Sequence, residues 1–256
     1  MDLKGGNQAD DKRGFEHYLD RVQGMIDDVR EKQATNILKA AEMIAASLEQ
    51  GGILHVFGTS HSQLLAQEIF YRAGCLVPTN AMIEPTLGLR KASENCYWYE
   101  RQEAYGKVVL DSYQTEPGDV ILVISTSGRN EVPVEVALQA KKRGLKVIAL
   151  ISLPYCTSVE ARHSSGKKLP DVADVVLDNG AALGDAAIEL EGIPHKVGAT
   201  SGVIGAAILQ ALVVQVAETL AGRGVEPPIW VSVNLLGGAE INAKYLQRYK
   251  GRVKHL

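Results

Sequence analysis

From Asp119 to Ser152 the chain reads DVILVISTSGRNEVPVEVALQAKKRGLKVIALIS. Two apolar runs, 119–125 and 146–152, flank a stretch from about Asn130 to Arg143 with helical spacing. Gly144 follows it, at the place where a helix ends in the left-handed conformation that glycine tolerates best. Strand, helix and strand in this order form one parallel crossover unit, and a parallel sheet is covered on both faces. The chain is therefore expected to be an α/β protein with helices on both sides of a parallel sheet.

The flanking sequence extends that unit. From Phe15 to about Gln50, Leu19, Val22, Met25, Ile26, Ile37, Ala41, Ile44 and Leu48 recur at helical spacing, which predicts two amphipathic helices broken near Lys32–Thr35. Gly51 and Gly52 end the second. ILHVFG (53–58) predicts a strand, 63–73 a helix, CLVPTN (75–80) a second strand and DVVLDN (174–179) another. AAIELEG (186–192) is expected at a sheet edge, and a long helix over Ser201–Gly222 closes the core. Residues 81–117 resist assignment; they hold the acidic, aromatic run ENCYWYERQEAY and end in the turn Pro117-Gly118. The expected organisation is a disordered lead (1–13), N-terminal helices (14–50), a main domain (51–222) and a C-terminal extension (223–256).

Composition narrows the function. A formal net charge of −3 gives no electrostatic basis for binding nucleic acid or an anionic membrane. Three widely spaced cysteines, with no CxxC pair, suit a reducing compartment and argue against a zinc knuckle or disulfide framework. The polar first residues lack the apolar centre of a signal peptide. Gly205, Gln210, Gln215 and Glu218 interrupt the longest apolar stretch, which reads as a buried helix rather than a membrane span. A cytoplasmic protein is expected.

Two strands run into hydroxyl-rich glycine turns that open helices: Gly58, Thr59, Ser60, His61, Ser62, and Ser125, Thr126, Ser127, Gly128, Asn130. Free backbone N–H groups and the positive end of each helix would then face one crevice, at the carboxyl ends of the strands where such sheets bind ligands. One helix needs one capping residue; each turn carries three or four candidates. Neither turn has the P-loop ending GK[ST] or the pattern GxGxxG, so a phosphate on a small molecule is favoured over those two kinds of nucleotide binding.

GTSHS and the 123–152 stretch resemble the sugar isomerase (SIS) domain of phosphosugar-binding proteins, over about residues 35–222. That resemblance implies a three-layer α/β/α domain with a five-stranded parallel sheet of flavodoxin-like order behind N-terminal helices. It implies that Thr59, Ser60, Ser62, Ser125, Thr126, Ser127 and Asn130 touch the sugar phosphate. The 199–224 stretch is similar to the last helix of arabinose 5-phosphate isomerases, which adds Thr200 and Ser201.

Aldose–ketose isomerisation needs a base to move a proton between C1 and C2. Glu68, Glu84, His61 and His195 are the candidates. Each has a plainer reading: Glu68 as a surface partner of Arg72, Glu84 as a turn residue before Pro85, His61 as a residue facing solvent and His195 as a loop residue. PHKVGATSG and EPTLG also resemble segments of N-acetylmuramic acid 6-phosphate etherases, in which Glu84 would serve as acid or base in a lyase reaction. No histidine lies between Val203 and Leu220, where phosphoheptose isomerases carry metal ligands, so no metal is expected; proton transfer needs no organic cofactor. A phosphosugar sensor is the non-enzymatic alternative. The apolar stripes of the N-terminal helices suggest a homodimer or higher oligomer, or packing on the chain's own sheet.

Overall fold

Short apolar runs, each stopped by a turn, build the centre of the molecule. A computed structural model describes residues 12–89 and 94–256; the expected disordered lead lies outside them up to residue 11. The strands are β1 Leu54–Gly58, β2 Thr79–Met82, β3 Val120–Ile124, β4 Lys146–Ile151 and β5 Val175–Asp178. They form one parallel sheet in the order β2-β1-β3-β4-β5. The chain therefore leaves adjacent strands β1 and β3 in opposite directions, which opens a crevice at their carboxyl ends.

Alternation along the strands sorts the core into two layers. Leu54, Val56, Val120, Leu122, Ile124, Ile148 and Leu150 face one side, and Phe57, Ile121, Val123, Val147 and Ala149 face the other. The first side is covered by α1 Gly14–Lys32, α2 Ala34–Glu49, α3 His61–Glu68 and, further along the chain, α8 Ser201–Gly222. Ala40, Ala41, Ile44 and Ala45 are fully buried on this side, where α2 lies along α8. Complete burial of one aliphatic side chain such as Ile44 contributes about 1.5–3 kcal/mol. By length and composition α8 could cross a membrane, yet Ile204, Ile208, Leu209 and Val216 are buried within this layer.

The second side is covered by α5 Glu103–Asp111, which follows the short α4 Glu94–Glu100, by α6 Glu131–Lys142 and by α7 Leu153–Thr157. Gly106 lets α5 lie close on α6, since a Cβ there would meet the Val132 carbonyl at 2.8 Å. An acidic first turn (Glu131) and a basic last turn (Lys141, Lys142) suit the dipole of α6, and Gly144 ends it with φ +82°.

Three expectations are corrected. The helix expected over 63–73 runs from His61 to Glu68, because Tyr71 and Gly74 turn to positive φ and Gly74 N–H donates to the Trp230 carbonyl. The strand expected over 75–80 starts at Thr79; Leu76 instead makes an antiparallel bridge with Ile229. Residues 186–192 do not edge the sheet. Here β6 Ala186–Ile188 pairs antiparallel with β7 Val197–Ala199, and this ribbon rests on α1, where Tyr18 Oη donates to the Ala199 carbonyl at 2.7 Å.

The C-terminal extension closes the opposite, amino end of the sheet. α9 Gly238–Tyr249 and the tail bury Trp230, Tyr249 and Val253 against Ile53 and Val77. Beneath them Asp119 accepts hydrogen bonds from Ile53 N and Glu116 N, both at 2.8 Å, from Arg252 Nη2 at 3.0 Å, and meets His55 Nε2 at 3.1 Å. Burial pushes the Asp119 carboxyl up, but these donors outweigh it and hold its pKa below the usual value.

Candidate functional site

A cavity of about 370 Å³ opens at the carboxyl ends of β1 and β3, where the strand order reverses. Thr59, Ser60, His61 and Ser62 line it from the β1–α3 turn, and Ser125, Thr126, Ser127 and Asn130 from the β3–α6 turn. Ser201 joins from the start of α8. Eight of the nine residues expected to touch a sugar phosphate thus border one space.

Glycine and strain shape the first turn. A Cβ on Gly58 would stand 2.6 Å from the Ser62 carbonyl, so β1 can pass this close beneath α3 only without a side chain. Ser60 has φ 52° and ψ −126°, an unfavourable conformation for a residue with a Cβ. Its N–H is held by the Leu87 carbonyl at 2.6 Å. In the second turn Gly128 has φ +62°, and a Cβ there would press on Cys156 Sγ at 3.2 Å.

Capping does not account for these hydroxyls. Ser60, Asn130 and Thr200 occupy the N-cap positions of α3, α6 and α8, and none caps its helix through its side chain. Asn130 Oδ1 instead accepts from Arg162 Nη1 at 2.7 Å. Thr59 Oγ1 donates to Glu100 Oε1 at 2.6 Å, and Ser60 Oγ lies 3.3 Å from His61 Nδ1. Among the described residues the hydroxyls of Ser62, Ser125, Thr126 and Ser127 have no hydrogen-bond partner. Unused donors therefore concentrate in the second turn, over the N-terminus of α6.

At α8 the opposite holds. Asp185, with φ 69°, accepts from Thr200 N at 3.0 Å, Ser201 N at 2.8 Å and Ser201 Oγ at 2.6 Å. A carboxylate of the chain itself fills this helix end. Thr200, the ninth expected residue, is fully buried and does not reach the cavity.

Of the four expected proton carriers, His61 alone borders the cavity. Glu68 is ion-paired with Arg72 at 3.0 Å, the i,i+4 surface pairing. Glu84 accepts from Thr86 N and Thr86 Oγ1 within its own turn. His195 is exposed in the loop that joins β6 to β7. Sequence reasoning missed Glu100 at the end of α4, Asp185, Tyr155 and Asn179, all of which line the cavity. Asn179 directly follows β5 at a strand's carboxyl end, a position that could have pointed to it. Glu100 gave no such signal, because it reaches Thr59 across 41 residues from a run with no clear period.

Away from the cavity, Glu103, Glu135 and His163 bring potential metal-ligating atoms within 4.8 Å of one another. They are engaged already: His163 with Glu135 at 2.9 Å and Ser165 at 2.8 Å, and Glu103 with Ser164 at 2.6 Å. The cluster ties α5, α6 and the 158–168 loop together.

Comparison with known proteins agrees with the architecture. A family model described as SIS domain matches residues 17–152. A UPF0309 protein of Caldanaerobacter subterraneus subsp. tengcongensis is 38% identical over 242 residues, spanning 93% of this chain and 98% of the relative. One from Halalkalibacterium halodurans is 40% identical over 235 residues, spanning 92% and 97%. Among solved structures, the phosphoheptose isomerase of Neisseria gonorrhoeae superposes with a TM-score of 0.56 at 20% identity, covering 80% of this chain and 97% of that one. That of Francisella tularensis gives 0.55 at 20%, covering 80% and 96%. At these identities the two structures speak for the fold.

Proposed function

The chain belongs to the SIS-domain family, and from that premise we propose that its cavity binds a phosphorylated sugar and interconverts the aldose and ketose forms. One observation carries the reading: the uncommitted hydroxyls of Ser125, Thr126 and Ser127 border the cavity at the N-terminus of α6. Hydroxyl donors and the helix's free N–H groups suit a phosphate dianion. The sugar then lies along the first turn.

The proton chemistry falls to Glu100. Asp185 is committed to three donors, whereas among the described residues Glu100 holds a single hydrogen bond, from Thr59. A carboxylate so placed can take the proton from C2 and return it to C1 while Thr59 fixes its orientation. His61 moves the accompanying proton between the two sugar oxygens. Glu68 and Glu84 have no part in this scheme, and no observation favours the lyase alternative, since Glu84 does not line the cavity. A homodimeric or larger assembly is part of the same reading, supported by the exposed Leu19, Leu38 and Val214 of the helical layer. So is a cytoplasmic location.

A thermal-shift and calorimetric screen against a panel of sugar phosphates tests the binding. At least one ligand should raise Tm, and Ser127→Ala should weaken it about 10- to 100-fold, the loss of one hydrogen bond to a charged group. No shift with any phosphosugar would refute the proposal. Binding without exchange of the C2 proton into deuterated solvent would leave a sensor rather than an enzyme.

A further inference from the structure

Among the described residues no lysine or arginine lines the cavity itself, yet three arginines from three separate segments adjoin residues that do. Arg101 directly follows Glu100 at the end of α4, Arg129 lies between Gly128 and Asn130 in the second turn, and Arg162 comes from the loop after α7. Arg162 Nη1 donates to Asn130 Oδ1 at 2.7 Å, and its N–H donates to the Arg129 carbonyl at 3.3 Å. The Arg101 guanidinium sits 4.9 Å above the Tyr97 ring.

These guanidiniums sense one another. Burial, then Arg129 and then Arg101 push the Arg162 pKa down, while Glu131 and Tyr97 act in the opposite direction. Among the described residues no carboxylate is ion-paired with any of the three. Like charges gathered beside a cavity without paired counter-charges raise the energy of the free protein, and an anion placed among them lowers it. The planar donor fork of arginine matches a carboxylate or a phosphoryl group in two-point contact.

We infer that the ligand carries a second anionic group, a carboxylate or a second phosphoryl, which Arg101, Arg129 and Arg162 receive on the side of the cavity facing α4. The substrate class is then a doubly anionic sugar phosphate: a phosphorylated sugar acid or a sugar bisphosphate. This rests on the phosphosugar reading of the site and goes beyond it, because Ser125–Ser127 need one phosphate alone.

Matched pairs of ligands separate the two ideas. Calorimetry at low ionic strength compares fructose 6-phosphate with fructose 1,6-bisphosphate, and glucose 6-phosphate with 6-phosphogluconate. The doubly anionic member of at least one pair should bind about tenfold tighter or more, and whichever pair responds identifies the second group as phosphoryl or carboxylate. The gain should shrink as salt screens the exposed guanidiniums. In Arg129→Gln and Arg101→Gln, tested separately, the ratio of affinities within that pair should fall toward one. Equal affinity within both pairs overturns the inference while leaving phosphosugar binding intact, and so does an equal loss for both members in the arginine variants. Failure of all four ligands and of the wider panel refutes the phosphosugar reading itself.

Discussion

Replacing Asp119 by Asn should cost this protein about 3 kcal/mol without touching its cavity. The Asp119 side chain is 2% exposed and receives two backbone N–H groups, the His55 ring and the Arg252 guanidinium. Asn keeps the shape but turns one acceptor into a donor facing other donors, and removes the charge that Arg252 meets. Breaking a buried ion pair by neutralising one partner costs about 3–5 kcal/mol; the lower end applies because the Arg252 side chain stays 21% exposed and partly hydrated. In a domain of this size each kcal/mol moves Tm by about 2–4 °C, so a drop of about 6–12 °C is expected. The assay is thermal unfolding followed by circular dichroism from pH 3 to 7. Because the folded-state pKa of Asp119 is depressed, its contribution is fully present above the unfolded pKa of about 4 and is lost as pH falls through the lower folded value. The gap between wild type and variant should therefore narrow in acid. Since the network lies at the amino ends of the strands, ligand affinity at 25 °C should be retained. A Tm within about 2 °C of wild type at pH 7, or a gap that widens in acid, would refute the reasoning.

Three further substitutions probe the site. Glu100→Gln should slow C2 proton exchange about 10²- to 10⁴-fold, while Glu68→Gln, which removes an exposed helix pair, should alter stability by no more than about 0.5 kcal/mol and leave exchange at the wild-type rate; the reverse pattern would restore Glu68 as the base. Gly58→Ala forces a methyl against the Ser62 backbone and should destabilise by about 1–3 kcal/mol, with weaker ligand binding because the first turn must shift. Melting curves and calorimetry on that variant check both effects.

Some of this molecule is written locally in its sequence. β3, α6, β4 and α8 can be placed to within about a residue or two, because an apolar run of the right length and a terminal glycine or hydroxyl fix each one without reference to the rest of the chain. β2 was displaced because Cys75 and Leu76 satisfy strand chemistry equally well against Trp230 and Ile229, partners some 150 residues away. The hydroxyl turns were legible for the same reason as β3: they follow their strands directly. Glu100 and Asp185 were not, since a carboxylate becomes a site residue through tertiary contact and nothing in its neighbours announces it. For Glu68 and Arg72 the spacing alone offered the surface pairing that the structure contains.

The helix that delivers Glu100 to the cavity also carries Trp98, whose side chain is 59% exposed, while Trp230, the second of the chain's two tryptophans, is 3% exposed. Collisional quenchers such as acrylamide will therefore reach one indole and spare the other. Emission from the accessible fluorophore reports on the surroundings of α4, so a change in its stopped-flow quenching on mixing with a sugar phosphate would show whether that helix responds to ligand, with no dye attached to the protein.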